Sequence, residues 1–276
     1  RSVPKLPSPE GVEYNRAVSW STCSLSKILA DKAGTQLFRC FLFKALADEN
    51  LSFVEATEKL RGTPVRETRK ELAAEIIVKF DAAINLSGPS RAAIARSANS
   101  THAIDMADWE PAIKEIRRLL ENDQLPRFRH SEMYIQFLEL VLPHSIAVHW
   151  SFSMEKLLAD KVGRHHFQMF MVSIRAGFYI PFWDAVIEFR ASSALRGDEG
   201  RAKAIIADFL TDRVTKEIYV PHYVKDAIAL NVASNKIEIS LFDEATQYVE
   251  QILRNDPYVR FIQSPGYLNL LNSLTR

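Results

Sequence analysis

Residues 25–41 read LSKILADKAGTQLFRCF, and residues 154–170 read MEKLLADKVGRHHFQMF. At an offset of 129 residues the two stretches share Lys27/Lys156, Leu29/Leu158, Ala30/Ala159, Asp31/Asp160, Lys32/Lys161, Gly34/Gly163, Phe38/Phe167 and Phe41/Phe170. A repeat of this period is far longer than the unit of a helical solenoid. It therefore predicts two copies of one domain.

The ends of the two halves repeat in the same way. Residues 119–138 (LLENDQLPRFRHSEMYIQFL) match residues 252–271 (ILRNDPYVRFIQSPGYLNLL) at an offset of 133. We predict one domain over residues 19–139 and a divergent second domain over residues 149–276. Residues 1–18, with three prolines and little apolar periodicity, are predicted to be a leader, and residues 140–148 a linker.

Helical periodicity dominates both halves. Trp109, Ile113, Ile116 and Leu120 fall on one helical face, and Asp108 is the expected N-cap of that helix. A second amphipathic helix is predicted by Phe242, Ala245, Val249 and Ile252. No strand alternation appears, and we expect seven to nine helices in each half.

Composition excludes several classes of protein. With 35 Lys and Arg against 34 Asp and Glu, the net charge of +1 argues against a nucleic-acid partner. The glycine content of 9 in 276 residues is below the average of about 7%, and this disfavours an all-β fold. Neither a G-x-G-x-x-G nor a phosphate-binding P-loop motif occurs.

The sequence carries no sign of secretion or membrane insertion. The two cysteines, Cys23 and Cys40, do not form a disulfide framework, which favours a reducing, cytoplasmic setting. No apolar run approaches the length of a membrane span. Because the chain begins with Arg1 rather than Met, we expect it to be part of a longer protein, with any targeting signal upstream.

No cofactor or metal site is expected. His165 and His166 are adjacent, so they point to different helix faces, and no Cys or His lies at ligand spacing from them. No nucleophile–base–acid order can be picked out among the seven histidines and many serines.

Motifs in both halves resemble the regulator of G-protein signalling (RGS) domain. The first half contains DENLSF at 48–53, INL at 84–86 and the closing segment 123–138. The second half contains IPFW at 180–183, IYV at 218–220, FDEATQ at 242–247 and the closing segment 256–271. The motifs occur in order, at domain-wide spacing and twice, from about Trp20 onward.

The resemblance implies an all-α fold of about nine helices per domain in two lobes. One lobe is a four-helix bundle, and the other joins the terminal helices. RGS domains bind the GTP-bound α subunit of a heterotrimeric G protein and accelerate its GTP hydrolysis. They supply no arginine finger, since Gα carries its own arginine in cis.

Six positions of the first half match the contact residues of the family: Glu49, Asn50, Asn85, Leu119, Asp123 and Arg127. The resemblance implies that Asn85 reaches into the Gα active site, where an amide can both donate and accept hydrogen bonds. Asp123 would accept bonds from switch-segment N–H groups, and Arg127 would orient it if the chain stays helical through Pro126.

These residues could instead have a purely structural role. Glu49 and Asn50 fit ordinary polarity at a helix start, and Asn85 fits a left-handed residue after a helix. Asp123 and Arg127 recur as Asp256 and Arg260, which favours an i,i+4 ion pair.

The second half departs from the family at its contact positions. Glu49 and Asn50 correspond to Phe178 and Tyr179, and Asn85 corresponds to Tyr219. A phenol should clash where a small amide enters a nucleotide site, so we predict little activating function here. Phe80 and Ile84 are four positions apart, whereas their counterparts Phe209 and Ile218 are nine positions apart. We therefore expect the first half to lack about one turn of helix.

The sequence thus predicts a GTPase activator rather than an enzyme, acting on a GTP-bound Gα subunit of the inhibitory or Gq class. We expect it in the cytoplasm, recruited to the inner face of the plasma membrane. Two alternatives stay open: a scaffold in which neither domain activates hydrolysis, and a helical enzyme unrelated to G proteins.

Overall fold

The structure is a computed structural model that describes residues 2–191, 197–211 and 218–274. These residues form eighteen α-helices and no β-strand. The first nine are α1 (Tyr14–Ser19), α2 (Leu25–Ala30), α3 (Lys32–Lys44), α4 (Asp48–Gly62), α5 (Arg66–Phe80), α6 (Gly88–Asn99), α7 (Glu110–Leu119), α8 (Leu125–Arg129) and α9 (Glu132–Leu140). The second nine are α10 (His144–His149), α11 (Met154–Ala159), α12 (Lys161–Ser173), α13 (Tyr179–Ala191), α14 (Glu199–Ile205), α15 (His222–Ala233), α16 (Asp243–Asn255), α17 (Pro257–Ile262) and α18 (Pro265–Ser273).

The chain divides into two compact units, Arg1–Val141 and Leu142–Arg276. In unit 1, α4, α5, α6 and α7 form a four-helix bundle in which each helix contacts the next and α7 contacts α4. The other lobe joins α1, α2 and α3 to α8 and α9. Unit 2 repeats both lobes with α13–α16 and with α10–α12, α17 and α18. The predicted all-α fold of two tandem domains is confirmed.

Matching side chains begin matching helices in the two units. The Ser24 and Ser153 hydroxyls accept the backbone N–H of the third residue of α2 and of α11. The Asp31 and Asp160 carboxylates accept the N–H of Gly34 and Gly163 near the start of α3 and α12. These caps satisfy N–H groups that the first turn of a helix leaves without a partner, and so they set where each helix begins.

One tyrosine fastens the last helix of each unit to its first. Tyr134 Oη donates to the Ala17 carbonyl at 2.7 Å, and Tyr267 Oη donates to the Ala147 carbonyl at 2.7 Å. Both phenol rings are buried, so each hydroxyl needs this partner. The bonds place α1 and α10 at equivalent positions in their units.

The predicted leader and linker both contain a helix. Helix α1 begins at Tyr14, within residues 1–18, and α10 begins at His144, within residues 140–148. Tyr14 and Ala17 are buried, but a six-residue helix has too few apolar positions to show a period in the sequence. Before α1, the Lys5 carbonyl accepts a hydrogen bond of 2.6 Å from Gln36 Nε2, which holds the leader against α3.

One detail of the helices differs from expectation. Asp108 is not the N-cap of α7, because it ends a short 3-10 turn, Met106–Asp108, and Trp109 occupies the cap. In both units an isoleucine N–H bonds back to a phenylalanine carbonyl near the end of the preceding helix, Ile84 to Phe80 and Ile218 to Phe209. The helical turn that the first half is expected to lack corresponds to positions 212–217, which lie outside the described residues.

Candidate functional site

The six predicted contact residues lie on three segments of unit 1. Glu49 and Asn50 are in the first turn of α4, and Asn85 lies in the loop before α6. Leu119 ends α7. Asp123 lies in a π-helical turn, Leu120–Gln124, which continues into α8 with Arg127.

Cross-bundle contacts bring these segments to one end of the bundle. Arg61 near the end of α4 bonds to Glu110 at the start of α7 at 2.9 Å, so the two helices run antiparallel. The start of α4 therefore lies at the same end as Leu119. The rings of Phe53 and Phe80 are 5.6 Å apart, which places the end of α5 and the loop that follows it beside the start of α4.

A carboxylate anchors the Asn85 loop to α7. Glu115 accepts hydrogen bonds from the Ser87 N–H at 2.9 Å, from the Ser87 hydroxyl at 2.6 Å and from the Ser90 hydroxyl at 2.5 Å. Burial opposes ionisation of Glu115, but the bonds from the two serines outweigh it and lower the pKa of this carboxyl. Because Glu115 lies one turn before Leu119, the loop is held beside the end of α7.

The two asparagines present uncommitted amides at this end. The side chain of Asn85 is exposed, and that of Asn50 is only 6% exposed. Among the described residues, neither side-chain amide has a hydrogen-bond partner. The backbone of Asn85 does not adopt a positive φ, so its reading as a left-handed residue after a helix is wrong.

Asp123 and Arg127 form an exposed pair. Their side chains are 50% and 60% exposed, and Arg127 Nη1 lies 3.8 Å from Asp123 Oδ2. The same carboxylate oxygen accepts a 2.5 Å bond from Gln124 Nε2. The chain is helical through Pro126, so this pairing has the i,i+4 geometry. Leu119 beside it is 37% exposed and adds an apolar contact point.

Together these groups suit the recognition of a polar protein loop. Two amides can each donate and accept, and a carboxylate can accept backbone N–H groups. Glu49 lies in the first turn of α4, where the helix dipole favours a negative charge. All of these groups stand on helix ends or on a tethered loop, which limits the entropy lost when a partner binds.

In unit 2 aromatic residues occupy the equivalent positions. Tyr179 Oη accepts a 3.3 Å hydrogen bond from the backbone N–H of Tyr219, so the counterparts of Asn50 and Asn85 are neighbours. Tyr219 is 70% exposed and Phe178 is 36% exposed. This end of unit 2 therefore presents rings where unit 1 presents small polar groups.

The anchor of the loop has changed as well. At the position of Glu115, unit 2 carries Tyr248, whose hydroxyl lies 2.6 Å from the hydroxyl of Tyr223 on α15. The hydrogen bond with Tyr248 and the neighbouring Glu244 raise the pKa of Tyr223. A neutral tyrosine pair thus replaces the carboxylate and its serines.

The anchor residues Glu115, Ser87 and Ser90 were missed in the sequence. The N-cap role of Ser87 has a sequence signal, since Ser87 precedes Pro89 in the first turn of α6. The bonds to Glu115 have none, because they join residues 25 and 28 positions apart.

Within the described residues, no group of three or more His, Cys, Asp or Glu side chains is placed to hold a metal ion. No helix there is long and apolar enough to cross a membrane.

Comparison with known proteins gives two kinds of match. The family model "Regulator of G protein signaling domain" matches twice, at residues 24–137 and 153–270. Regulator of G-protein signaling rgs-3 of Caenorhabditis elegans is 46% identical over 275 residues, which are 99% of this chain and 76% of that protein. Human Regulator of G-protein signaling 21 is 29% identical over 131 residues, 48% of this chain and 85% of that protein. Horse Regulator of G-protein signaling 1 is 31% identical over 136 residues, 49% of this chain and 67% of that protein.

Proposed function

The chain belongs to the family of regulators of G-protein signalling, and from this premise we propose that unit 1 accelerates GTP hydrolysis by a heterotrimeric Gα subunit. The bundle end defined by Glu49, Asn50, Asn85, Leu119, Asp123 and Arg127 is the surface that binds Gα. The chain supplies no reacting group, because hydrolysis takes place in the Gα nucleotide site.

The main support for this proposal is that the side-chain amides of two asparagines at this bundle end have no hydrogen-bond partner among the described residues. Asn85 is exposed on a loop that Glu115 holds in place, and Asn50 stands at the same bundle end. Neither amide has a side-chain partner among the described residues. Each can therefore bond to Gα without first breaking a bond inside this chain.

The proposed mechanism is complementarity to the transition state. Asn85 would hold the Gα groups that position the attacking water and the γ-phosphate of GTP, with GDP as the leaving group, and Asp123 would fix the switch backbone. Such contacts raise the rate only insofar as they are stronger in the transition state than in the ground state. Preorganised dipoles meet this condition because they need not reorient during the reaction.

Unit 2 is proposed to be non-activating. Tyr179 is bonded to the backbone of residue 219, and the exposed Tyr219 ring stands where the amide of Asn85 would act. A phenol ring is too large for the site that an asparagine enters. Unit 2 keeps the helices and caps of the fold. The tyrosines in place of Asn50 and Asn85 therefore change the surface and leave the scaffold intact.

The proposed partner is a GTP-bound Gα of the inhibitory or Gq class. The chain would meet it in the cytoplasm, at the inner face of the plasma membrane.

The test is single-turnover GTP hydrolysis by preloaded Gα of each class, with the full chain at less than stoichiometric amount. We expect acceleration by the wild type, at least a tenfold loss of it in Asn85→Ala, and no loss in the matched variant Tyr219→Ala. Folding of each variant is checked by circular dichroism. No acceleration of any Gα class by the folded wild type would favour the scaffold instead.

A further inference from the structure

The terminal-helix lobe of unit 1 holds a cluster of three side chains: Trp20 is buried, Asp31 is 14% exposed and Arg16 is 44% exposed. Arg16 on α1 donates two hydrogen bonds to Asp31, from Nε and from Nη2, each of 2.7 Å. Trp20 Nε1 donates to the same carboxylate at 3.1 Å. Asp31 also caps α3, so one carboxylate serves the guanidinium, the indole and the helix start together.

Unit 2 retains two of these three side chains. Trp150 and Asp160 take the places of Trp20 and Asp31, and Ile146 takes the place of Arg16. The equivalence is structural: Tyr267 fixes α10 as Tyr134 fixes α1, through the same 2.7 Å bond. The indoles also rest on equivalent glycines, since a Cβ added to Gly34 or Gly163 would lie 3.1 or 2.9 Å from the Trp20 or Trp150 ring.

Loss of the arginine coincides with an open cleft. A cleft of about 330 Å³ on unit 2 is lined by Ile146, His149, Trp150, Lys156, Ala159 and Asp160. Ile146, the counterpart of Arg16, is one of its lining residues, so the cleft marks the place of the Arg16 side chain in unit 1. Its volume is more than enough for a guanidinium group.

Trp150, one of the residues that line this cleft, has an indole N–H without a partner among the described residues. Trp150 is 1% exposed, and its Nε1 forms no hydrogen bond with any described residue. The other three tryptophans all donate: Trp20 to Asp31, Trp109 to Ser97 and Trp183 to Glu250. A buried donor without an acceptor costs free energy, so this donor marks an incomplete site.

We propose that the Ile146–Asp160 cleft of unit 2 binds the guanidinium group of an arginine side chain from a partner protein. The partner's arginine would occupy the place that Arg16 fills in unit 1. A bidentate pair with Asp160 would hold the carboxylate in the position of Asp31, where it also accepts from the indole of Trp150. Capping of α12 is compatible with this, since Asp31 caps α3 while bound to Arg16.

Charges that line the cleft do not exclude a cation. Lys156, His149 and Asp160 are the residues with ionisable side chains that line it. Lys27 stands at the position of Lys156 in unit 1, in the helix that Asp31 follows, and Arg16 still pairs with Asp31 there. A planar guanidinium is favoured over an ammonium because its paired N–H groups match a carboxylate.

The test is ¹H–¹⁵N NMR spectroscopy of the full chain labelled with ¹⁵N-tryptophan, in which each of the four tryptophans gives one indole N–H signal. The probe is Nα-acetyl-arginine amide, with Nα-acetyl-lysine amide and sodium acetate as comparison probes. We expect the arginine probe to move one indole signal to saturation. Its dissociation constant should rise at least tenfold in Asp160→Asn, which keeps a capping side chain, and should be unchanged in Asp31→Asn.

Ile146→Arg provides a readout that needs no probe. It restores the side chain of unit 1, so we expect it to move the same indole signal, raise the melting temperature and abolish the response to the probe. If Ile146→Arg moves no indole signal, the proposed geometry is wrong. The proposal is also overturned if the arginine probe moves none, if the lysine probe binds as well, or if acetate alone produces the shift.

Discussion

The two units share a scaffold but differ at the end of the bundle. The cap at Asp31 recurs at Asp160, and the tyrosine bond of Tyr134 recurs at Tyr267. Asn50 at the start of α4 and Asn85 in the loop before α6 are replaced by Tyr179 and Tyr219 in unit 2. Residues that hold the fold are therefore kept in both units, whereas residues at the proposed Gα-binding end differ between them.

The terminal-helix lobes differ in a second respect. In unit 1 Arg16 completes the Asp31 and Trp20 cluster within the chain, whereas unit 2 has Ile146 there and an indole without an acceptor among the described residues. The guanidinium site that we propose in unit 2 is thus a place that unit 1 fills with its own side chain.

The largest expected effect concerns the glycines beneath the two indoles. A Cβ at Gly163 would lie 2.9 Å from the Trp150 ring and 3.0 Å from the Leu157 carbonyl oxygen, and the backbone oxygen cannot move aside. We expect Gly163→Ala to lower the free energy of unfolding by about 2–3 kcal/mol and Gly34→Ala by about 1–2 kcal/mol. Urea denaturation measures both.

Gly62→Ala is the control for helix propensity, since a Cβ there meets nothing within 4 Å. It should raise the free energy of unfolding by about 0.5 kcal/mol. Equal destabilisation by all three substitutions would show that the close approach of the indoles plays no part.

The next effect concerns the anchor of the Asn85 loop. Glu115→Ala removes three hydrogen bonds to Ser87 and Ser90, so the loop is no longer held in position. We expect the acceleration of GTP hydrolysis to fall by about ten- to a hundredfold, the scale of effect of a displaced catalytic geometry. Single-turnover hydrolysis measures it, with Glu115→Gln expected to restore part of the rate.

Tyr248→Phe is the matched change in unit 2, and it should leave the rate of hydrolysis unaltered. A comparable loss in Tyr248→Phe would place the activating surface on both units.

A smaller effect on stability is expected from two carboxylates, Asp31 and Glu155, whose pKa values are both lowered. The hydrogen bond from Arg16 is the main cause that lowers the pKa of Asp31 to about 2, and that from Arg254 lowers the pKa of Glu155 to about 2. Asp31 is 14% exposed and Glu155 is 65% exposed, so solvent screens the second pair more strongly. At pH 7 we expect Asp31→Asn to cost about 1–2 kcal/mol, and Glu155→Gln less than about 0.5 kcal/mol.

The sign of the pH dependence follows from the lowered pKa. An acid whose pKa is lower in the folded state stabilises the fold above its unfolded pKa, and this contribution is lost as the pH falls through its folded pKa. The difference between wild type and Asp31→Asn should therefore be full above about pH 5, shrink as the pH approaches 2 and vanish below it. A difference that persists unchanged at pH 2 would contradict the ion-pair account.

The smallest effect concerns the exposed pair of Asp123 and Arg127. At 3.8 Å and half exposed, it should contribute less than about 0.5 kcal/mol to stability, as should Asp256 and Arg260 at 3.2 Å. We expect Arg127→Ala and Arg260→Ala to unfold at nearly the same denaturant concentration as the wild type. A loss above about 1 kcal/mol in either would indicate that the pair is structural.

The repeat made most of the fold predictable from the sequence. Two copies of the same capping and aromatic positions define two all-α domains, and periodicity predicts the helix that contains Ile113 and Ile116. Short elements were not predictable: α1 buries Tyr14 and Ala17, but six residues carry too little periodic signal.

The candidate site was predictable only in part. Resemblance to a family supplied Asn50 and Asn85, but it did not predict that Asn50 would be almost buried. The bonds of Glu115 depend on how α6 packs against α7, and a sequence does not specify such a tertiary contact. The cleft at Trp150 depends on how α10 packs beside α11, and a sequence does not specify this arrangement either.

The affinity of the full chain for Gα in different nucleotide states tests the central claim most directly. Gα bound to GDP and aluminium fluoride imitates the transition state, and GDP alone gives the ground state of the product. The account predicts at least tenfold tighter binding to the aluminium fluoride state, lost in Asn85→Tyr and retained in Tyr219→Asn. Equal affinity for both states, or preference that survives Asn85→Tyr, would contradict it.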